Sequence, residues 1–299
     1  MITRFGNKIR EAGWKGTLSA AYRYTYSNYF VHIYSRLLSR IYTFKQPSIL
    51  LLSYPRCGSS WIGNILSFSP DIAYLREPVN QAYQKRYMDW AVIDPFRDRT
   101  TLTRYTRLAD QAFAGIPPMN VPGVMDNSDD FSLSGRSRKT LMIKEVNPLA
   151  GGFYASRYSP KILFLIRHPA AVADSFERMG WLKGQFEEFG YSYASVISRA
   201  IEDISKGWSR VILFEDIAAN PEKRFDNLFD SLDVRPPIEF KKVVTQFSDH
   251  ARDNQDPYSI RRVSQDEVNK WQRNLNSSQI DAVMTGYLRS NLKYYTDSS

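Results

Sequence analysis

The 299-residue sequence holds a single cysteine, Cys57, so no disulfide can form within it. Of its three histidines, His32 and His250 have no neighbours that suggest acid–base work. No grouping of His, Cys, Asp and Glu has metal-ligand spacing, so no metal is expected. Long apolar runs are missing too. None reaches the roughly 18 residues that a membrane span needs. Residues 1–30 lack the continuous apolar stretch and small-residue cleavage site of a secretory leader. These absences lead to the expectation of a cytoplasmic protein. Internal repeats and domain linkers are also lacking.

Acidic residues are nearly absent from residues 1–47. Glu11 stands alone there against Arg4, Lys8, Arg10, Lys15, Arg23, Arg36, Arg40 and Lys45, which places +7 of the total +9 in this arm. Trp14, three Phe and six Tyr accompany the charge. A basic, aromatic, partly amphipathic stretch can lie on an anionic membrane surface. A helical arm packed on the core with a solvated basic face would have the same composition. The basic residues do not follow a groove with interleaved aromatics, so nucleic acid is not expected as a partner. The whole chain is 43% hydrophobic and 24% charged, as in a soluble globular protein.

What is present is organised around Ser48 to Pro70. The apolar run Ile49-Leu-Leu-Leu52 has the length of one buried strand. A turn of small residues follows, then Trp61, Ile62, Ile65 and Leu66 at helical spacing. The N–H groups that open such a helix are unpaired, and the helix dipole adds positive charge. Arg56 supplies a full charge, and Ser59 and Ser60 supply hydroxyls. Strand, loop and helix together read as a cradle for a phosphate-like anion. An ordinary turn capped by a serine would give the same local pattern. The nucleotide loop GxxxxGK[ST] requires a Lys where this chain has Ser59.

Residues 72–76, 141–144, 161–166 and 211–214 read as further strands. Helices are expected over 170–178, 193–208, 221–232, 264–275 and 279–288. Residues 81–140 read as an irregular insertion, helical in pieces and anchored by Trp90, Phe96, Tyr105 and Leu108. The polar run from Asp126 to Lys139 reads as mobile, in the manner of a substrate loop. Strands alternating with helices give an α/β fold, a P-loop-like mostly parallel sheet with helices on both faces. The expected organisation is a basic helical arm over 1–47 and one domain over 48–299.

Four elements together resemble the sulfotransferases that use 3'-phosphoadenylyl sulfate (PAPS). Tyr54-Pro-Arg-Cys-Gly-Ser-Ser-Trp61 is similar to the family loop for the donor's 5'-phosphosulfate, usually Tyr-Pro-Lys-Ser-Gly-Thr-Thr-Trp. Arg167, with Ser175 eight residues on, resembles the pair that binds the 3'-phosphate. Phe214-Glu-Asp216 before Asn220-Pro221 resembles a Tyr-Glu-Asp segment ending in Asn-Pro. Lys144 resembles the strand lysine beside the donor. The resemblance implies donor contacts from Arg56, Cys57, Gly58, Ser59, Ser60, Trp61, Arg167, Ser175 and Phe214, with Trp61 and Phe214 against the adenine or simply in the core. Arg261 and Arg262 stand where the family often has a further 3'-phosphate contact, although the usual Arg-Lys-Gly is absent. His168 takes a structural role in this reading.

Enzymes of the family that act on small phenols and steroids carry a base His two residues after the strand lysine. Val146 stands there. Carbohydrate-type members use a Glu just after the second strand, often before Pro, and Glu77-Pro78 fits. The resemblance therefore implies in-line transfer from PAPS to a hydroxyl acceptor, a carbohydrate or glycolipid. The resemblance assigns the base role to Glu77, makes Lys144 and Arg56 the candidate cations, and implies PAP as the product. Glu145 is a reserve base, although it faces away from Lys144 on an extended strand. Two other classes stay open, a P-loop kinase using ATP and magnesium and a non-enzymatic protein of the membrane surface.

Overall fold

The computed structural model describes residues 30–89, 92–119, 121, 123–248, 264–290, 292 and 294–296. Five strands form one sheet: β1 (Lys45–Ser53), β2 (Ile72–Arg76), β3 (Thr140–Glu145), β4 (Lys161–Ile166) and β5 (Ser209–Leu213). Their order is β2-β3-β1-β4-β5, and every neighbouring pair is parallel. Ile49 to Leu52 are fully buried at its centre. A parallel strand covered on both faces carries an unbroken apolar run rather than an alternating one.

The cover on each face follows from the two-residue period of the strand. A methyl group added at Gly63, on the helix Ser59–Ser67, would meet Leu51 and Tyr74. One added at Gly151, on the helix Gly151–Tyr158, would meet Leu52 and Ile204, the latter on the helix Phe186–Ile204. Leu51 and Leu52 are consecutive, so these helices lie on opposite faces. Beyond β1 the chain turns toward β2, and beyond β4 it turns toward β5. The crevice at the carboxyl ends of β1 and β4 is where open α/β sheets bind ligands.

The stretch 81–140, read as helical in pieces, holds the helices Arg99–Phe113 and Leu133–Arg138 and most of Pro78–Tyr87. Several other expectations are corrected. Tyr105 and Leu108 are buried anchors, but Phe96 is 56% exposed. The polar run 126–139 is folded rather than loose, because Arg136 is buried within it. Its guanidinium donates to the carbonyls of Phe131, Ala114, Gly115 and Ser35 and lies 4.9 Å from the Phe44 ring centroid. Burial lowers its pKa to about 10, still cationic at neutral pH. Phe214 opens the helix Phe214–Ala219 instead of closing β5. The helix expected from residue 193 begins at Phe186. β1 starts at Lys45, inside the stretch read as an arm. Residues 1–29, Trp90, His250, Arg261 and Arg262 lie outside the described residues.

Arg136→Met keeps much of the volume but leaves four carbonyls without their donor. It should cost about 3 kcal/mol or more, seen as a lower urea midpoint at unchanged slope.

Candidate active site

Gly58 closes the loop after β1 with φ 93°, a left-handed conformation that glycine adopts without penalty. A Cβ there would lie 2.6 Å from the Phe214 ring, so position 58 has no room for a side chain. No side chain caps the helix that follows. Ser59 turns inward, its hydroxyl accepting from Ser53 Oγ at 2.8 Å. The Ser60 hydroxyl instead accepts from Lys144 Nζ at 3.1 Å.

Lys144 reaches Ser60 because of register. It pairs with Leu51 across β3 and β1, so it points to the same face, the one covered by the helix Ser59–Ser67. Its ammonium also pairs with the Glu77 carboxylate. Lys144 is buried, whereas the Glu77 side chain is 20% exposed. Glu77 comes within reach because its own N–H extends the β2–β3 ladder to the Lys144 carbonyl, after which the chain turns left-handed at φ 51°. Glu77 is the cap residue of the helix Pro78–Tyr87, yet its carboxylate does not cap it.

Glu145 takes over that task. One residue on from Lys144 it faces the other way, is fully buried, and accepts from the N–H groups of Val79 (2.7 Å) and Asn80 (3.2 Å). Burial pushes its pKa up to about 8, against the opposing pull of the Val79 N–H. It is thereby committed to the helix end rather than to a reaction.

A second group gathers one strand over. Arg56, itself left-handed at φ 68°, donates from Nε to Ser175 Oγ at 2.8 Å. Arg167 donates to the Arg56 carbonyl at 3.4 Å and lies 4.3 Å from the Phe214 ring centroid. Phe214 packs edge-on against Trp61 at 5.6 Å, and Trp61 against Phe225 at 5.4 Å. The three residues drawn from distant parts of the sequence, Arg56, Arg167 and Ser175, are thus in direct contact. Cys57 is fully buried, and burial pushes its thiol up to about 12, so it is no nucleophile at neutral pH. His168 stacks on Trp271 at 4.4 Å, and burial followed by the Arg167 charge lowers its pKa to about 4.

Two supporting residues escaped the sequence reading. The Tyr193 hydroxyl donates to the Arg167 carbonyl at 2.7 Å and accepts from its N–H at 3.3 Å, fixing the end of β4. Glu215 accepts from the His168 N–H and from the Tyr295 hydroxyl. Tyr193 has no local signal, being one tyrosine among 19. Glu215 lay within the Phe214-Glu-Asp216 segment and could have been weighed there. Among the described residues no three His, Cys, Asp or Glu side chains form a metal-binding group.

Two outcomes follow. Between pH values of about 4.5 and about 8 the unfolded chain has released the Glu145 proton while the folded chain keeps it. Its contribution to stability therefore falls as pH rises through that window, and Glu145→Gln should flatten the slope of urea midpoint against pH. Gly58→Ala should cost about 1–3 kcal/mol and displace Phe214, read as a lower melting temperature.

No family model and no curated protein matches the sequence. Solved structures do. The sulfotransferase domain from the Curacin biosynthetic pathway aligns at TM-score 0.51 and 15% identity, over 84% of this chain and 100% of that one. The sulfotransferase domain of the Synechococcus PCC 7002 olefin synthase aligns at 0.45 and 16%, over 84% and 98%. A mouse sulfotransferase complexed with PAP aligns at 0.45 and 14%, over 86% and 90%. At such identities the Curacin-pathway domain speaks for architecture, and what it says agrees with the parallel sheet and its covering helices: the chain has the sulfotransferase fold.

Proposed function

We propose that the protein transfers a sulfuryl group from PAPS to an acceptor hydroxyl. The observation that carries this reading is the meeting of Lys144, Glu77 and Ser60 where a helix with no side-chain cap begins. The loop lacks the lysine of a nucleotide hydrolase, and a neighbouring strand supplies an ammonium in its place. The residues present suit a ligand with two separated phosphates. Ser60, Lys144 and the uncapped helix end suit the phosphosulfate. Arg167, Ser175 and Arg56 form the second cationic edge. Arg261 and Arg262 extend it in this reading, and Trp61 and Phe214 border the adenine.

The donor supplies an activated sulfuryl group joined to a phosphate leaving group. Glu77 accepts the proton of the acceptor hydroxyl as its oxygen bonds to sulfur. The bond from sulfur to the 5'-phosphate oxygen breaks, and Lys144 and Arg56 offset the charge that gathers there. Positioning and charge stabilisation carry such in-line transfers. Support for a carbohydrate or glycolipid acceptor comes from Glu77-Pro78 at the β2 end and from Val146 where a phenol-sulfating enzyme has its base histidine. A cytoplasmic setting accompanies this reading.

Melting temperature with PAP, set against ATP with magnesium, tests the donor. Ligand at a hundred times its Kd adds about 2.7 kcal/mol of stability. A PAP-specific rise, lost in Arg167→Ala, is expected, and a rise with ATP–magnesium alone would overturn the reading. Glu77→Gln should lower sulfuryl transfer to sugar acceptors about 10²–10⁴-fold while keeping the PAP shift. Undiminished turnover would remove Glu77 as base.

A further inference from the structure

The helix Val31–Leu38 is turned inside out. Its inward face carries Val31, His32 and Ser35, all buried. His32 Nδ1 is 2.6 Å from the Pro117 carbonyl, and the Ser35 carbonyl accepts from the buried Arg136. The outward face, continued through the turn that follows, carries Ile33, Tyr34, Leu37 and Ile41. These are 54%, 43%, 58% and 72% exposed. At 100° per residue the four side chains fall within one arc of roughly 100°, opposite the buried three. Arg36 and Arg40, both exposed, follow one another along one flank of that arc. A surface helix normally turns its apolar stripe to the core. This one has four large apolar side chains in nine residues facing away from it.

The sheet and the site are complete without this face. The helix is anchored by the same buried arginine that orders the 126–139 segment, so its orientation is fixed by the body of the protein. An apolar arc flanked by arginines, in a stretch of 47 residues with net charge +7, is complementary to one surface above all: acyl chains bordered by anionic headgroups. Tyr34 has the amphipathic ring favoured at that boundary. Residues 31–41 span about 16 Å, long enough to lie in the interface plane and too short to cross it. Among the described residues no helix is long and apolar enough to span a membrane.

We infer that the outward face of residues 31–41 docks the protein onto an anionic lipid surface, with Ile33, Tyr34, Leu37 and Ile41 entering the headgroup boundary and Arg36 and Arg40 pairing with lipid phosphates and carboxylates. The inference does not rest on the sulfotransferase reading. It adds to the basic composition of the arm a defined, rigidly held contact face, and it assigns the insertion to residues whose replacement leaves the core untouched.

Co-sedimentation of the full chain with vesicles tests it. Two compositions are used, phosphatidylcholine alone and phosphatidylcholine with about a quarter phosphatidylserine. The wild type should pellet with the anionic vesicles and remain in solution with the neutral ones. The double substitution Ile33→Asp with Leu37→Asp should lower partitioning about tenfold or more. Its melting temperature should stay unchanged, because both side chains are exposed. Arg36→Glu with Arg40→Glu should lower partitioning too and make what remains insensitive to salt. A wild type that stays in solution with both vesicles overturns the inference. So does an apolar double variant that pellets like the wild type, which would assign binding to the charge of residues 1–29. A wild-type dimer that the apolar variant converts to monomer, without vesicle binding, would assign the face to a second copy.

Discussion

An ammonium buried near the carboxyl end of a strand has lost its water and must recover that free energy from partners. Lys144 meets this constraint with one carboxylate and one hydroxyl, and the arrangement of the site follows from it. The carboxylate must come from β2, the next strand, and the hydroxyl from the helix that covers that face. Three elements distant in sequence are thereby held in one geometry. The same pairing explains why Glu77 leaves its own helix uncapped. Its carboxylate is taken, so the buried N–H groups of Val79 and Asn80 are satisfied by Glu145 instead. Two consecutive residues on one strand do opposite work because the strand alternates its faces: Lys144 serves the site and Glu145 serves the helix end.

Backbone strain marks the same places. Outside glycine, left-handed residues are costly and persist only where their surroundings enforce them. Of the six among the described residues, Met88, Ser159 and Asp233 terminate helices, an ordinary use of this conformation. Arg56 and Glu77 do not. Each follows the carboxyl end of a strand and turns a charged side chain into the crevice, one toward Ser175 and the other toward Lys144. The ladder bond from the Glu77 N–H to the Lys144 carbonyl and the bond from Arg167 to the Arg56 carbonyl hold these turns in place.

Much of this was legible in the sequence because it is local. The run Ile49 to Leu52, the small-residue turn, and the strand Lys161–Ile166 leading into Arg167 each announce themselves within ten residues, and the parallel order follows from their alternation with helices. Other features were illegible for a physical reason. Arg136 sits in a run of Ser, Gly, Arg and Lys that reads as solvated, and only carbonyls from residues 35, 114, 115 and 131 make its burial possible. Nothing near Tyr193 indicates that it clamps Arg167, 26 residues away. Helix Val31–Leu38 could be seen to be amphipathic, but which face turns inward was decided by Pro117 and Arg136, not by its own hydrophobic pattern.

The end of β3 shows how one register choice redirects the rest of the site. Val146 follows β3 directly. Asn147, buried just beyond it, exchanges hydrogen bonds with the backbone N–H and carbonyl of Ile93 and donates to Tyr105 Oη. The segment after β3 is thus spent on fixing the chain near residue 93, which in turn joins Asp94 to Arg199 on the helix Phe186–Ile204. With β3 committed to an ammonium and to this anchor, the carboxylate that faces Lys144 comes from the residue that follows β2. Glu77 is the group that stands there, one-fifth exposed beside a buried lysine.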